Sequence, residues 1–172
     1  YNLSKYNGVY AASSEKGIFL QMNPIYYELY DWTYYGKRGD VTSPVSVQTP
    51  IGGSSSAGST PTGFLATYDG GCLPIYNISF ETPGDYVGMF GMNKGTIVNV
   101  VLADTYDADN PANNRHIKKT TSTAMNESVF MGPLAAWNEG TIRNCAVAGV
   151  YQSVNYSLVA TEGRYYCVGG LV

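Results

Sequence analysis

At 172 residues the chain suits one domain that buries about 70% of its unfolded surface, enough for a core without metal or disulfide staples. Only 13% of residues are charged and the net charge is -3, so the basic footprint that binds nucleic acid is missing. No apolar run approaches the roughly 18 residues that span a membrane, so no membrane insertion is expected.

Nothing like a charged-then-apolar leader follows Tyr1, so any export signal is expected to lie outside this sequence. In chain order the first strong signal is Tyr26-Tyr27-Glu28-Leu29-Tyr30-Asp31-Trp32-Thr33-Tyr34-Tyr35, a predicted strand over 26–35. Period-two geometry puts Tyr26, Tyr30, Trp32 and Tyr34 on one face, where flat amphipathic rings can stack on sugar. The competing reading is a cap layer packed on the strands that follow. Tyr30, Trp32 and Tyr34 are therefore the candidate glycan contacts. Arg38-Gly39-Asp40 spells the integrin-binding tripeptide, but three-residue matches arise readily by chance. Residues 49–63 are too rich in Gly, Ser and Pro to pack and read as a loop.

Further strands are predicted over 64–68, 73–80, 86–91, 96–102, 129–135, 141–150 and 165–172, and helix signals are poor throughout. With 16 tyrosines and abundant Thr, Gly, Asn and Ser, the palette is that of an all-β protein, because Tyr and Thr fit pleated strands while the small polar residues make turns. One phrase recurs: Asn93-Lys94-Gly95-Thr96-Ile97-Val98-Asn99-Val100, then Asn138-Glu139-Gly140-Thr141-Ile142-Arg143-Asn144-Cys145. Leu73-Pro74-Ile75-Tyr76-Asn77-Ile78 reads as a degenerate earlier copy, and Gly169-Gly170-Leu171-Val172 as the opening of another. A repeated turn-plus-strand unit signals stacked units that bury their apolar edges against one another. The shared phase points Ile75, Ile97 and Ile142 inward, together with Ile78, Val100 and Cys145. It also puts Asn77, Asn99 and Asn144 at one position, where stacked amides form a ladder at the strand spacing. The competing reading is that each Asn merely ends its strand at a turn.

Residues 103–128 separate the two clear copies. The polar run from Asp104 to Thr123 favours a long insertion over a cryptic extra unit, and insertions on one face are where binding usually sits. Within it, Asp104, Asp107 and Asp109 offer hard oxygens of the kind that bind Ca²⁺, but EF-hand spacing is absent. A solvated acidic turn is the favoured reading, and no cofactor is expected. His116, the sole histidine, has no Gly-x-Ser-x-Gly elbow nearby, and the acidic residues form no recognisable carboxylate pair, so the chain is not expected to be an enzyme. Cys72, Cys145 and Cys167 lack metal-like spacing and leave at least one free thiol. A Cys72–Cys167 bridge stays open at this point, and Cys145 reads as a small apolar core residue. Sequons begin at Asn2, Asn77, Asn126 and Asn155, of which Asn126 and Asn155 are the candidate glycosylation sites.

Pro50-Ile51-Gly52, Gly63-Phe64, Thr67-Tyr68-Asp69-Gly70-Gly71, Ile75 and Asn77-Ile78 resemble the opening unit of the GLUG-motif repeat proteins. Val87-Gly88-Met89-Phe90-Gly91 with Gly95-Thr96-Ile97 and Asn99, and Gly132 and Leu134 with Gly140-Thr141-Ile142 and Asn144-Cys145, resemble the motif itself. Val168-Gly169-Gly170-Leu171-Val172 is similar to its next recurrence. The likeness runs in order over about residues 45–172. The chain departs from it with Gly71 and Cys72 directly after Gly70, an extra residue at Ala135-Ala136, and Ala135 where the motif has Gly. The resemblance implies a parallel β-solenoid on a secreted or surface-anchored microbial protein, adhesin-like or flanking a peptidase, with no catalytic residues to carry over. Residues 1–44 are then expected to form an N-terminal cap, because uncapped strand edges pair with other chains, and 45–172 the repeats, with an insertion at about 103–128.

The expected function is a non-catalytic extracellular or cell-surface module, structural or adhesive, whose partner is a surface glycan or host protein. The alternatives are a self-assembling filament or surface-layer subunit that pairs through strand edges, and a polysaccharide-degrading β-helix enzyme. No nucleic-acid partner is expected.

Overall fold

Short apolar stretches broken by Gly, Asn and Pro give sixteen strands of two to four residues among the described residues. The computed structural model describes residues 17–26, 50–54, 56, 58–76, 78, 80–103, 116–119, 128–148, 151–152 and 165–172. Most of the expected cap lies outside them, with Tyr30, Trp32, Tyr34 and the Arg38-Gly39-Asp40 tripeptide. So do Asn2, Asn77, Asp104, Asp107, Asp109, Asn126 and Asn155.

The strands fall into successive passes of the chain. The first pass carries β1 (Ile18–Leu20) and β2 (Ile25–Tyr26). The second has β3 (Thr67–Asp69), β4 (Pro74–Tyr76), β5 (Phe80–Thr82), β6 (Tyr86–Val87) and β7 (Phe90–Asn93). The third repeats the order with β8 (Thr96–Val98), β9 (Val101–Ala103), β10 (His116–Lys119), β11 (Val129–Met131) and β12 (Ala135–Asn138). The fourth has β13 (Thr141–Arg143), β14 (Ala146–Ala148), β15 (Tyr151–Gln152) and β16 (Tyr166–Val168). Every described strand pair is parallel and joins equivalent positions of neighbouring passes. The sheets run β1-β3-β8-β13, β2-β4-β9-β14, β5-β10-β15, β6-β11-β16 and β7-β12. Ile51 and Phe64 extend the last sheet through parallel bridges to Phe90 and Asn93.

The protein is thus all-β with parallel pairing, and two details differ from the sequence expectations. The strands expected over 73–80, 86–91, 96–102, 129–135 and 141–150 each divide at a corner. Asn99 and Asn144 supply two of those corners with φ of 55° and 49°, the left-handed conformation that Asn tolerates better than most residues. In addition, the expected insertion over 103–128 contains β10, which pairs with β5 and β15, so the extra length of the third pass is divided between the connections on either side of β10.

Register corrects the expected alignment of the degenerate copy. Ile97 pairs with Ile142, but the residue below Ile97 is Tyr68, with Phe19 below that. Ile75 belongs to the neighbouring column, Ile25-Ile75-Leu102-Val147. Ile75 and Ile78 are therefore buried, but not as the equivalents of Ile97 and Val100. The true counterpart of Thr96-Ile97-Val98-Asn99 is Thr67-Tyr68-Asp69-Gly70, in which Tyr replaces Ile and Gly replaces Asn. A Tyr fits inside because its hydroxyl donates to Gln21 Oε1 at 3.1 Å, satisfying the polar tip within the core.

The core lies between the sheets and is densest in the middle passes. Ile75, Val87, Phe90, Ile97, Val100, Leu102 and Leu134 are fully buried. Among the described residues those of the fourth pass are more open: Ile142, Cys145 and Val147 are half-buried, and Val168 is 56% exposed. This corrects the expectation that Ile142 and Cys145 are buried like their counterparts. Apolar burial contributes about 25 cal/mol per Å², so each buried side chain of the middle passes stabilises the fold more than its half-buried counterpart in the fourth. The glycines of the repeated phrase follow from the same stacking: a Cβ on Gly95 would collide with the Ala66 carbonyl oxygen, and one on Gly140 with that of Gly95.

Candidate functional site

Three groups of side chains go beyond simple packing: a polar rail at one corner, a buried ion pair, and an aromatic shelf.

The rail follows from the left-handed Asn residues. Asn144 Nδ2 donates to Asn99 Oδ1 at 2.6 Å, and Asn99 Nδ2 donates to Asp69 Oδ1 at 2.9 Å. Asp69 Oδ1 also accepts the Gly71 N–H at 2.9 Å. The Asn99 amide, then the Gly71 N–H, hold the Asp69 carboxyl below the usual carboxylate range, assisted by Arg143 and opposed by partial desolvation. Of the three-Asn ladder expected from Asn77, Asn99 and Asn144, Asn99 and Asn144 are bonded to each other with Asp69 as the next member, and Asn77 lies outside the described residues. The rail sits at a surface corner rather than in the interior. A second amide rung escaped the sequence reading: buried Asn93 donates from Nδ2 to Asn138 Oδ1 at 2.7 Å, while its Oδ1 accepts the Gly95 N–H at 3.1 Å. The Asn that opens each copy of the repeated phrase was its available signal.

Asn99→Ala is expected to lower stability by about 1–3 kcal/mol, because it breaks two side-chain hydrogen bonds and leaves Ala in a left-handed conformation. Asn99→Gly keeps the permissive backbone and should lose less. Equal melting temperatures for Asn99→Ala and the wild type would show that the rail contributes nothing.

The buried pair lies between β10 and the turn after β5. Lys119 is 1% exposed, and its Nζ donates to Pro83 O at 2.7 Å, Gly84 O at 3.0 Å and Asp85 Oδ1 at 2.7 Å. The other Asp85 oxygen accepts the Gly58 N–H, which fastens the 53–62 loop to the second pass. All three ammonium protons are engaged, as a buried cation requires. This clasp is structural.

The shelf follows from alternation in β11. Val129 and Met131 point inward and are buried, so Phe130 faces outward and remains half-exposed. Tyr86, its partner on β6, stacks on it with centroids 5.1 Å apart and planes inclined by 25°. Trp137 meets Phe130 edge to face at 4.8 Å and 81°, and its Nε1–H donates to Glu139 Oε1 at 3.2 Å. Trp137 stays 38% exposed. Glu139 Oε2 lies 3.7 Å from Lys94 Nζ, in a pair exposed enough to add little stability. Partial burial, then the carboxylates of Asp85 and Glu139, push the Tyr86 phenol above its ordinary value. The shelf offers aromatic surface and hydrogen-bonding groups, and no nucleophile activated by a base.

These residues were not among the sequence candidates. Phe130 and Trp137 lie on different strands, and only the corner between β11 and β12 brings them together. The expected glycan contacts Tyr30, Trp32 and Tyr34 and the calcium candidates Asp104, Asp107 and Asp109 lie outside the described residues, as do the glycosylation candidates Asn126 and Asn155. Among the described residues no group of three or more His, Cys, Asp or Glu is placed to hold a metal ion. The three thiols are free. Cys72 stands at the β3–β4 corner and Cys167 on β16, in sheets that share no strand, so the geometry does not bring together the bridge that the sequence left open. The half-buried Cys145 thiol is pushed up by desolvation, against hydrogen bonds at Val100 and Arg143 that lower it. No family model, curated protein or solved structure matches the chain.

Proposed function

We propose that the chain is part of a parallel β-solenoid of the GLUG-motif type and serves as a non-catalytic structural or adhesive module of an extracellular microbial surface protein. The observation that carries this reading is the recurrence of one strand order through neighbouring passes, all in parallel register, over a continuous apolar interior. Such an architecture supplies length and repeated outward faces. The resemblance over residues 45–172 adds the surface location. The non-catalytic reading draws on how three of the described carboxylates are occupied. Asp69 is held in the rail, Asp85 in the clasp, and Glu139 between Trp137 and Lys94.

A second reading, self-association through strand edges, draws on the half-exposed last pass, where Ile142, Val147 and Leu171 remain partly open and β13 and β14 have no described partner on their outer side. The module reading expects a monomer in sedimentation velocity, whereas the second expects growing species as concentration rises.

Incubation with a polysaccharide panel is expected to release neither reducing ends nor unsaturated sugars. Release that disappears on changing Asp69, Asp85 or Glu139 singly, with the fold retained, would overturn the non-catalytic reading in favour of a polysaccharide-degrading enzyme.

A further inference from the structure

We propose that Tyr86, Phe130 and Trp137 form a binding site for a neutral saccharide, with the Trp137 ring as the stacking surface and Glu139 and Lys94 at its rim. The inference rests on the adhesive part of the function proposed above and names both its site and its ligand class.

The ring is preorganised. Edge contact with Phe130 and the Nε1–H bond to Glu139 fix Trp137 from two sides while leaving more than a third of it open. Phe130 is itself backed by Tyr86, so the aromatic surface spans two sheets. Little side-chain freedom remains to be lost on binding. An apolar ring face beside hydrogen-bonding groups suits a pyranose, whose C–H face packs on the ring while its hydroxyls reach the rim.

The rim decides against other occupants. Lys94 and Glu139 lie 3.7 Å apart and largely offset each other's charge, and the carboxylates of Asp85 and Glu139 face Tyr86, so the site has no positive field to recruit a polyanion. The two side chains are 37% and 49% exposed and still hydrated. An apolar protein surface placed over Trp137 would strip that water and return nothing, which makes the contact unfavourable. A polyol replaces the water with its own hydroxyls. The carboxylate that accepts from the indole retains lone pairs for this, and the ammonium retains donors.

The experiment uses the whole chain with cellohexaose, xylohexaose and mannohexaose as neutral probes and heparin as the polyanion, followed by titration calorimetry and tryptophan fluorescence. At least one neutral hexasaccharide is expected to bind. Trp137→Ala should weaken that binding about tenfold. Trp137→Phe should restore most of it. The proposal is overturned by any of four results: no neutral probe binds, Trp137→Ala binds as tightly as the wild type, only heparin binds, or Trp137 matters only for self-association in sedimentation. Thermal melts and infrared amide spectra run on the same samples report on the scaffold. A wild-type chain that binds no neutral probe while keeping an intact β spectrum sinks the site alone, and a wild-type chain without β structure sinks the scaffold reading itself.

Discussion

Lys119→Ala lowers the free energy of unfolding by about 3–5 kcal/mol, the loss expected when one member of a buried ion pair is removed and the other remains. Asp85 is 5% exposed, and without the ammonium its carboxylate keeps, among the described residues, the Gly58 N–H. The Pro83 and Gly84 carbonyls lose their donor at the same time. Water cannot compensate at a site this closed, so the protein must neutralise the carboxylate or open the loop. The exposed Lys94–Glu139 pair provides the contrast, since pairs of that kind contribute about 0–1 kcal/mol. Replacing both partners, Lys119→Met with Asp85→Leu, should recover part of the loss, because no charge is left buried although the Pro83 and Gly84 carbonyls and the Gly58 N–H still lose their partner. Urea denaturation measures all three variants. A Lys119→Ala midpoint within error of wild type would mean that the pair is solvated in solution and the clasp is absent.

Phe90→Ala is expected to cost about 3–5 kcal/mol through lost transfer energy and the cavity left behind. Phe90 is fully buried, 5.1 Å from the Phe64 ring and 5.7 Å from that of Tyr68. Its strand partner in the third pass is Ala135, whose small side chain leaves room for the ring and cannot fill the space once the ring is gone. The void should therefore collapse poorly. Phe130→Ala tests the assignment of faces: the same change in a half-exposed outward residue should cost much less. Equal losses in the two variants would show that the assigned inward and outward faces are wrong.

The repeated phrase was legible because each of its residues answers a local demand. Gly95 and Gly140 sit where a Cβ would strike the carbonyl of the pass below, Asn99 and Asn144 where the backbone turns left-handed, and Ile97 and Ile142 on the inner face of paired strands. Tyr68 was not legible as the equivalent of Ile97. A tyrosine reads as a surface or edge residue until the partner of its hydroxyl is known, and that partner, Gln21, is 47 residues away. The strand His116–Lys119 was hidden for a related reason. Lys119 looks like a solvated residue in a polar run, and only the ring of acceptors from Pro83 to Asp85 makes its burial tolerable.

The sequence by itself determined the all-β class and the repeated turn-plus-strand phrase, because composition, strand alternation and turn chemistry act over a few neighbouring residues. The tertiary structure alone decided which copy lies on which. The second pass turns over 70–73 the corner that the third turns over 99–100, and Ile75, beyond that corner, stands in the column of Leu102; side-chain pattern cannot reveal an alignment that hydrogen bonds between distant passes impose. It also decided the sites. Asp85 meets Lys119 only when neighbouring passes stack, and Phe130 meets Trp137 only around the corner between β11 and β12, which turns scattered polar and aromatic residues into a clasp and a shelf.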